Sequence, residues 1–118
     1  DYNIEKQGGS FMKLITAIIN KKDGGNTAKA LAESGIRFTK IATSGGFLRT
    51  GNVTLLIGVE DDEVRKVLDI IKEHSAKRME PTPTFIHANA GSMNCQVAEV
   101  PVGGAVVFVT NVEYAERM

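Results

Sequence analysis

The stretch Arg37–Val59 reads RFTKIATSGGFLRTGNVTLLIGV and decides the fold, because it predicts two strands joined by a glycine-rich loop. Every second residue from Val53 to Val59 is apolar, which is the two-residue period of a strand with one buried face. The segment from about Ile36 to Thr43 also predicts a strand, although polar residues interrupt its alternation. Two consecutive strands with a short connection suit an antiparallel pair.

Helices are predicted on both sides of this pair. Downstream, apolar residues recur at i, i+3, i+4 and i+7 from Val64 to Ile71, so Asp62–Ser75 is an amphipathic helix that Asp61 is expected to cap. Upstream, Thr27–Ser34 has apolar residues at helical spacing, and Asn26 is its expected cap.

Two further strands complete the pattern. Leu14–Ile19 is a short apolar run that ends at a polar segment, Asn20–Asn26, which predicts a turn. Ala105–Thr110 is a continuous apolar run, AVVFVT, and such a run favours a central strand covered on both faces. The order predicts an α+β fold, a ferredoxin-like βαββαβ sandwich in which two helices cover one face of a four-stranded antiparallel sheet. We expect the other, apolar face to pack against another subunit.

A long insert, Ala76–Gly104, precedes the last strand. It contains all three prolines and no helical periodicity. A structureless segment of this length is uncommon in a compact domain unless it is functional or carries minor strands. Thr84–His87 and Gln96–Val100 are therefore candidates for a small hairpin around Asn89–Asn94.

Length and composition predict one soluble domain. Residues 1–11 are polar and precede Met12, so we interpret them as an added leader and expect a single domain over residues 12–118. The 14 basic and 14 acidic side chains cancel, which disfavours nonspecific binding to DNA or RNA. No run approaches the ~20 apolar residues that membrane insertion requires. The single cysteine, Cys95, cannot form an internal disulfide and fits a cytoplasmic location.

The residue types that support catalysis or metal binding are sparse. His74 and His87 have no partner at metal-ligand spacing, and Cys95 has no nearby histidine to activate it. The acidic run Glu60–Glu63 is explained by a helix N-terminus. We therefore predict no catalytic site, no metal and no cofactor.

The loop from Thr43 to Asn52 is the most unusual segment. Gly45 and Gly46 let the backbone approach a ligand, and the large apolar pair Phe47 and Leu48 stands where a loop would normally face water. One interpretation is a pocket in which apolar side chains cover a flat base while arginines neutralise phosphate. The other is a lid that folds back on the core.

A second glycine pair, Gly103-Gly104, lies just before the last predicted strand. The pair either forms a tight turn or brings backbone amides beside a ligand. Spacing alone leaves both readings open.

The Arg37–Val59 stretch, together with VGGAVVFV at Val102–Val109, resembles the PII-like family of cyclic di-AMP receptor proteins, and the similarity runs from Met12 to the end. The resemblance implies a homotrimer of PII-like subunits that binds cyclic di-AMP in clefts between neighbours. It also implies that two loops change order on binding and that an as yet unknown downstream protein responds. No catalytic activity is implied.

The ligand-contacting positions of the family motif correspond to a set in strands, loop and glycine turn: Arg37, Thr39, Phe47, Leu48, Asn52, Gly58, Gly103 and Gly104. Two alternatives stay open. One is a PII-like regulator that binds another adenine nucleotide, ATP or ADP. The other is a small enzyme of the same fold in which Thr43, Ser44 or Cys95 does chemistry, although no general base accompanies them.

Overall fold

A computed structural model describes residues 12–46, 51–87 and 93–118, with the backbone alone for 82–87 and 93–98. Two helices and six strands follow one another along these residues. They are β1 (Met12–Asn20), α1 (Lys21–Glu33), β2 (Thr39–Thr43), β3 (Asn52–Glu60), α2 (Val64–Ser75), β4 (Arg78–His87), β5 (Met93–Val102) and β6 (Ala105–Asn111).

Four of the strands form one sheet in the order β2-β3-β1-β6, and every neighbouring pair is antiparallel. The remaining two, β4 and β5, form a separate antiparallel hairpin between α2 and β6. The predicted α+β class is confirmed, and the strand order with its two helices is compatible with a ferredoxin-like arrangement.

The core lies between one face of the sheet and the helices. Alternate residues of β1 and β3 are fully buried there, for example Ile15 opposite Ile57 and Ala17 opposite Leu55. Leu31 of α1 packs into the same cluster, as do side chains of α2. The alternation that predicted β3 therefore records its buried face.

The opposite face of the sheet carries side chains that remain partly open. In β1, Leu14, Thr16 and Ile18 are each partly buried, and Thr16 lies between Leu56 of β3 and Phe108 of β6 in register. Phe108 is 44% exposed. Packing of this face against another subunit stays a prediction.

Helix α1 begins earlier than predicted. The expected turn at Asn20–Asn26 and the cap at Asn26 are wrong, because the helix starts at Lys21 and the side chain of Asn20 accepts a hydrogen bond from the Lys22 amide at 2.9 Å. Glycines disfavour helix, but Gly24 is buried and lies directly against Val53 of β3. Tertiary packing thus outweighs local propensity in this segment.

The start of α2 and the extent of β2 also differ from expectation. Asp61 does not cap the helix, because Asp61–Glu63 form a 3₁₀ turn and α2 has no side-chain cap. Strand β2 is shorter than predicted at its beginning, since the ladder with β3 starts at Thr39.

The prediction that the last strand is central and covered on both faces is wrong. Strand β6 is an edge of the sheet, and β1 occupies the position between β3 and β6. Ala105 and Val107 of β6 pack against the core, whereas Phe108 and Val109 are exposed. A continuous apolar run therefore marks two apolar faces here without marking a central place in the sheet.

The long segment before β6 contains the predicted hairpin, which is longer than expected. Its ladder runs from the pair Arg78–Val102 to the pair His87–Met93, so the two strands are longer than the predicted segments. The segments themselves pair in part, with Thr84 opposite Gln96. Neither helix of the described chain is long and apolar enough to cross a membrane.

Candidate functional site

The described residues of the predicted site fall at two ends of the sheet. Thr39 and Gly58 lie toward one end of the β2–β3 pair, and Arg37 directly precedes β2 there. Asn52 begins β3 at the other end, six residues before Gly58, which in a strand corresponds to about 20 Å. Phe47 and Leu48 lie outside the described residues.

The first end contains a shallow pocket of about 340 Å³. Three predicted site residues line it, Arg37, Thr39 and Gly58, so the structure brings them together. Arg37 is exposed and has no carboxylate within 4 Å among the described residues. Glu63 also lines the pocket. The end therefore offers a cation, a hydroxyl and a carboxylate around an exposed glycine that has no side chain to block a ligand.

The second end holds Asn52 in a buried hydrogen-bond cluster. Asn52 is 5% exposed, and its Oδ1 accepts a hydrogen bond from the Thr43 hydroxyl. The Thr43 Oγ1 lies 2.9 Å from the Oγ1 of Thr54. Thr43 and Asn52 are also the last partners of the β2–β3 ladder. The side chain of Asn52 is thus held in place where the loop joins the strands.

The glycine pair adjoins this second end. Asn20 of β1 is the register partner of Asn52. The backbone amide of Asn20 donates a hydrogen bond to the carbonyl of Gly104 at 3.1 Å. The Gly104 amide donates in turn to the Ser75 carbonyl at 2.6 Å. Both glycines have positive φ, +79° for Gly103 and +108° for Gly104. The pair therefore forms the two-residue connection between β5 and β6 with positive φ at both positions, and contact of these glycines with a ligand stays a prediction.

An ion-pair cluster that the sequence did not indicate lies against Gly103. Arg78 donates to both carboxylate oxygens of Asp23, at 3.0 and 2.9 Å, and Asp23 is 4% exposed. Arg78 Nε also donates to Glu80 at 3.0 Å, and Lys22 Nζ donates to the other oxygen of Glu80 at 2.8 Å. The cluster joins the first turn of α1 to the base of the hairpin.

The charges of this cluster stabilise one another. The hydrogen bonds to Asp23 and Glu80 raise the pKa of Arg78 above its ordinary value. The hydrogen bonds from Lys22 and Arg78 lower the pKa of Glu80 below its ordinary value. Asp23 and Arg78 are separated by 55 residues, so no local spacing pattern reveals their pairing.

A larger cavity of about 630 Å³ lies between the end of α2 and the start of β6. Its walls are largely apolar, including Leu68, Ile71 and Val107, and Lys72 also lines it. Gly103 and Gly104 belong to the lining as well. Within the described part of the chain, no group of three or more His, Cys, Asp or Glu residues is arranged to hold a metal ion.

The sequence model of the cyclic-di-AMP receptor family matches residues 12–118. The chain belongs to this family. A solved structure of a functionally unknown protein from Pediococcus pentosaceus ATCC 25745 is 37% identical in sequence, with a TM-score of 0.72. That similarity covers 91% of this chain and 97% of the Pediococcus chain. The resemblance inferred from the sequence motifs is confirmed.

The family motif identified the predicted site residues in the sequence, but it did not indicate their positions in the fold or their hydrogen-bond partners. The Thr43–Asn52–Thr54 cluster has a weak sequence signal, since its members alternate along two adjacent strands and so share one sheet face. The Arg78–Asp23 pair has no such sequence signal, since 55 residues separate its members.

Proposed function

We propose that this protein is a PII-like signalling protein that binds cyclic di-AMP in the clefts between the subunits of a homotrimer. The observation that carries the proposal is the family match over residues 12–118, which includes the whole predicted site motif. Binding changes the order of the loop between β2 and β3 and of the hairpin segment, and a downstream protein reads that change.

The division of the site between two ends of β3 supports an intersubunit cleft. One chain holds Arg37 and Asn52 at ends of the sheet about 20 Å apart. A neighbouring copy would bring its own Asn52 end toward the Arg37 end of the first. Each cleft then draws its cation from one subunit and its carboxamide from the next.

The apolar face of the sheet opposite the helices supports the assembly. Ile41 is 39% exposed and Phe108 is 44% exposed on this face. Burying such side chains against another copy is worth about 25 cal/mol per Å² of apolar surface. A closed trimer would cover this face in every subunit.

The chemistry of the residues suits a dinucleotide with two phosphates and two adenine bases. Arg37 would make a charge-assisted contact with a phosphate, and the Thr39 hydroxyl would donate to phosphate or base. Gly58 allows close approach of the ligand to β3. Phe47 and Leu48 would cover an adenine face.

The hydrogen-bond partners of the Thr43 hydroxyl support a binding protein over the enzyme alternative. Its hydroxyl contacts Asn52 and Thr54, neither of which is a general base. A nucleophilic hydroxyl requires a base within hydrogen-bond reach.

Calorimetry with cyclic di-AMP, cyclic di-GMP, ATP, ADP and AMP tests the ligand, and light scattering tests the assembly. We expect cyclic di-AMP to bind most tightly, at one site per subunit, to a particle with three times the chain mass. A monomer mass at micromolar concentration would contradict the trimer. Tighter binding of ATP or ADP would show that the ligand is an adenine mononucleotide and not cyclic di-AMP.

Hydrogen exchange tests the change in the loop. We expect the backbone amides of residues 45–52 to gain protection with saturating cyclic di-AMP, because the glycine-rich loop loses conformational freedom on binding. Equal protection in both states would mean that the response lies elsewhere.

A further inference from the structure

Three polar side chains lie together where β2 and β3 end beside the loop. Thr43 and Asn52 face each other across the ladder, and Thr54 follows on the same face of β3. Asn52 and Thr54 are 5% and 9% exposed. Polar groups this buried are expected to have hydrogen-bond partners.

The protons of the two hydroxyls determine how the cluster is ordered. A threonine hydroxyl has one proton to donate and two lone pairs to accept with. Thr43 donates its proton to Asn52 Oδ1. The contact of 2.9 Å between Thr43 Oγ1 and Thr54 Oγ1 must then use the proton of Thr54. The hydroxyls therefore form one directed chain, from Thr54 to Thr43 to the Asn52 carbonyl.

This chain fixes which end of the Asn52 carboxamide faces away from Thr43. An unconstrained asparagine can turn its amide by 180° and so offer either its NH₂ donor or its carbonyl acceptor to a ligand. With the carbonyl held by Thr43, the NH₂ group is the part that donates outward. The surroundings of Asn52 thus favour a partner atom that accepts a hydrogen bond.

We propose that Thr43 is a positioning residue that sets the base specificity of the site by presenting the Asn52 NH₂ group to the N1 acceptor of adenine. The inference rests on the proposed function, since it takes Asn52 to be a contact of the dinucleotide. Thr43 touches no ligand in this role. It acts through the orientation of Asn52.

Cyclic di-IMP is a suitable probe, because hypoxanthine replaces the N1 acceptor of adenine by an N–H donor and the 6-amino group by a carbonyl. The test compares Thr43→Val, which has the same shape without the hydroxyl, with Thr43→Ser, which keeps the hydroxyl. The measured quantity is the ratio of the dissociation constants of cyclic di-IMP and cyclic di-AMP. A merely structural role of Thr43 would weaken both ligands alike and leave this ratio unchanged.

We expect the wild type and Thr43→Ser to share a ratio well above one. In Thr43→Val the ratio should fall by about threefold to tenfold, the worth of one oriented neutral hydrogen bond, because the freed amide can accept from hypoxanthine. An unchanged ratio in Thr43→Val, or a wild type that binds both ligands equally, would overturn the inference.

A ligand-free measurement separates this inference from the proposed function. Nuclear Overhauser effects between the Asn52 NH₂ protons and the Thr43 methyl group report which end of the amide faces Thr43. Strong effects would overturn the orientation whatever the protein binds. If the wild type binds neither dinucleotide, the proposed function is wrong and the specificity role of Thr43 falls with it.

Discussion

Gly103→Ala distinguishes a glycine that the fold requires from a glycine that serves only to admit a ligand. Gly103 has a φ of +79°, and a Cβ atom there would lie 2.6 Å from Arg78 Nη1 and 2.7 Å from Asp23 Oδ2. Gly35 is the matched control, because its φ is +77° and a Cβ atom there would meet nothing within 4 Å. Both variants share the backbone strain, and only Gly103→Ala adds the collision.

The magnitude follows from these two contributions. A left-handed backbone conformation destabilises a residue with a Cβ atom by about 1–2 kcal/mol, and this lowers the free energy of unfolding of both variants. Overpacking costs a further ~1–3 kcal/mol. The collision is hard to relieve, because Asp23 is 4% exposed and the Ala76 carbonyl lies 3.0 Å from the same Cβ position. We expect Gly103→Ala to be less stable than Gly35→Ala by about 1–3 kcal/mol.

The assay is urea unfolding of both ligand-free variants, followed by circular dichroism at one protein concentration, since an oligomer's stability depends on concentration. Equal free energies of unfolding would refute the reasoning, because the ion pair would then move aside without cost. If Gly103→Ala also bound cyclic di-AMP more weakly in that case, ligand approach would be a reason for a glycine in addition to its positive φ.

Three further outcomes follow from the structure. Gly25→Ala should stabilise the protein by up to about 1 kcal/mol in the same urea assay, since nothing lies within 4 Å of its Cβ position. Gly24→Ala should destabilise the protein because the Val53 side chain occupies that position, and equal effects of the two changes would contradict this packing. Arg37→Ala should weaken cyclic di-AMP binding by roughly tenfold to a hundredfold in calorimetry. Arg65→Ala, a surface arginine of α2, should leave it unchanged, and equal losses would remove Arg37 from the site. The hydrogen bonds from Lys22 and Arg78 hold the pKa of Glu80 below its ordinary value, so their stabilisation is complete above that ordinary value and is lost as the pH falls through the lowered pKa. Amide protection at the base of β4 should therefore fall on acidification, and pH-independent protection would contradict this.

The sequence predicted the elements whose buried face repeats regularly. The alternation in β3 and the helical spacing in α2 each report contact with one shared core, so both elements were identified to within a few residues. The start of α1 was not predictable in this way. Gly24 and Gly25 disfavour helix locally, and Gly24 is held in the helix by packing against Val53 of β3, which the local sequence does not reveal.

The place of β6 in the sheet is a second limit of sequence reasoning. An apolar run shows that both faces of a strand can be buried, but strand order depends on which neighbours the connections allow. Here β1 pairs with both β3 and β6, so β6 becomes the edge. The site shows a third limit, since the motif identified Arg37 and Asn52 without indicating that they lie at different ends of the sheet.

The two ends of the sheet differ in how they are connected to the rest of the chain. At one end, Arg37 and Gly58 border a shallow pocket on strands β2 and β3. At the other end, Asn20 is the partner of Asn52 on β1, and its backbone amide donates to the Gly104 carbonyl. Gly103 lies directly against the Arg78–Asp23 pair at the base of the hairpin. In the proposed site, a ligand at the Arg37 end would gain binding free energy from the charge of Arg37 and from close approach to β3. In the proposed site, a ligand at the Asn52 end would lie near the hydrogen bonds of Gly104, which adjoin the ion pairs at the base of the hairpin. If each cleft joins the Arg37 end of one subunit to the Asn52 end of the next, as we propose, one subunit would hold each dinucleotide and the hairpin of its neighbour would respond, so the response would require the assembled trimer.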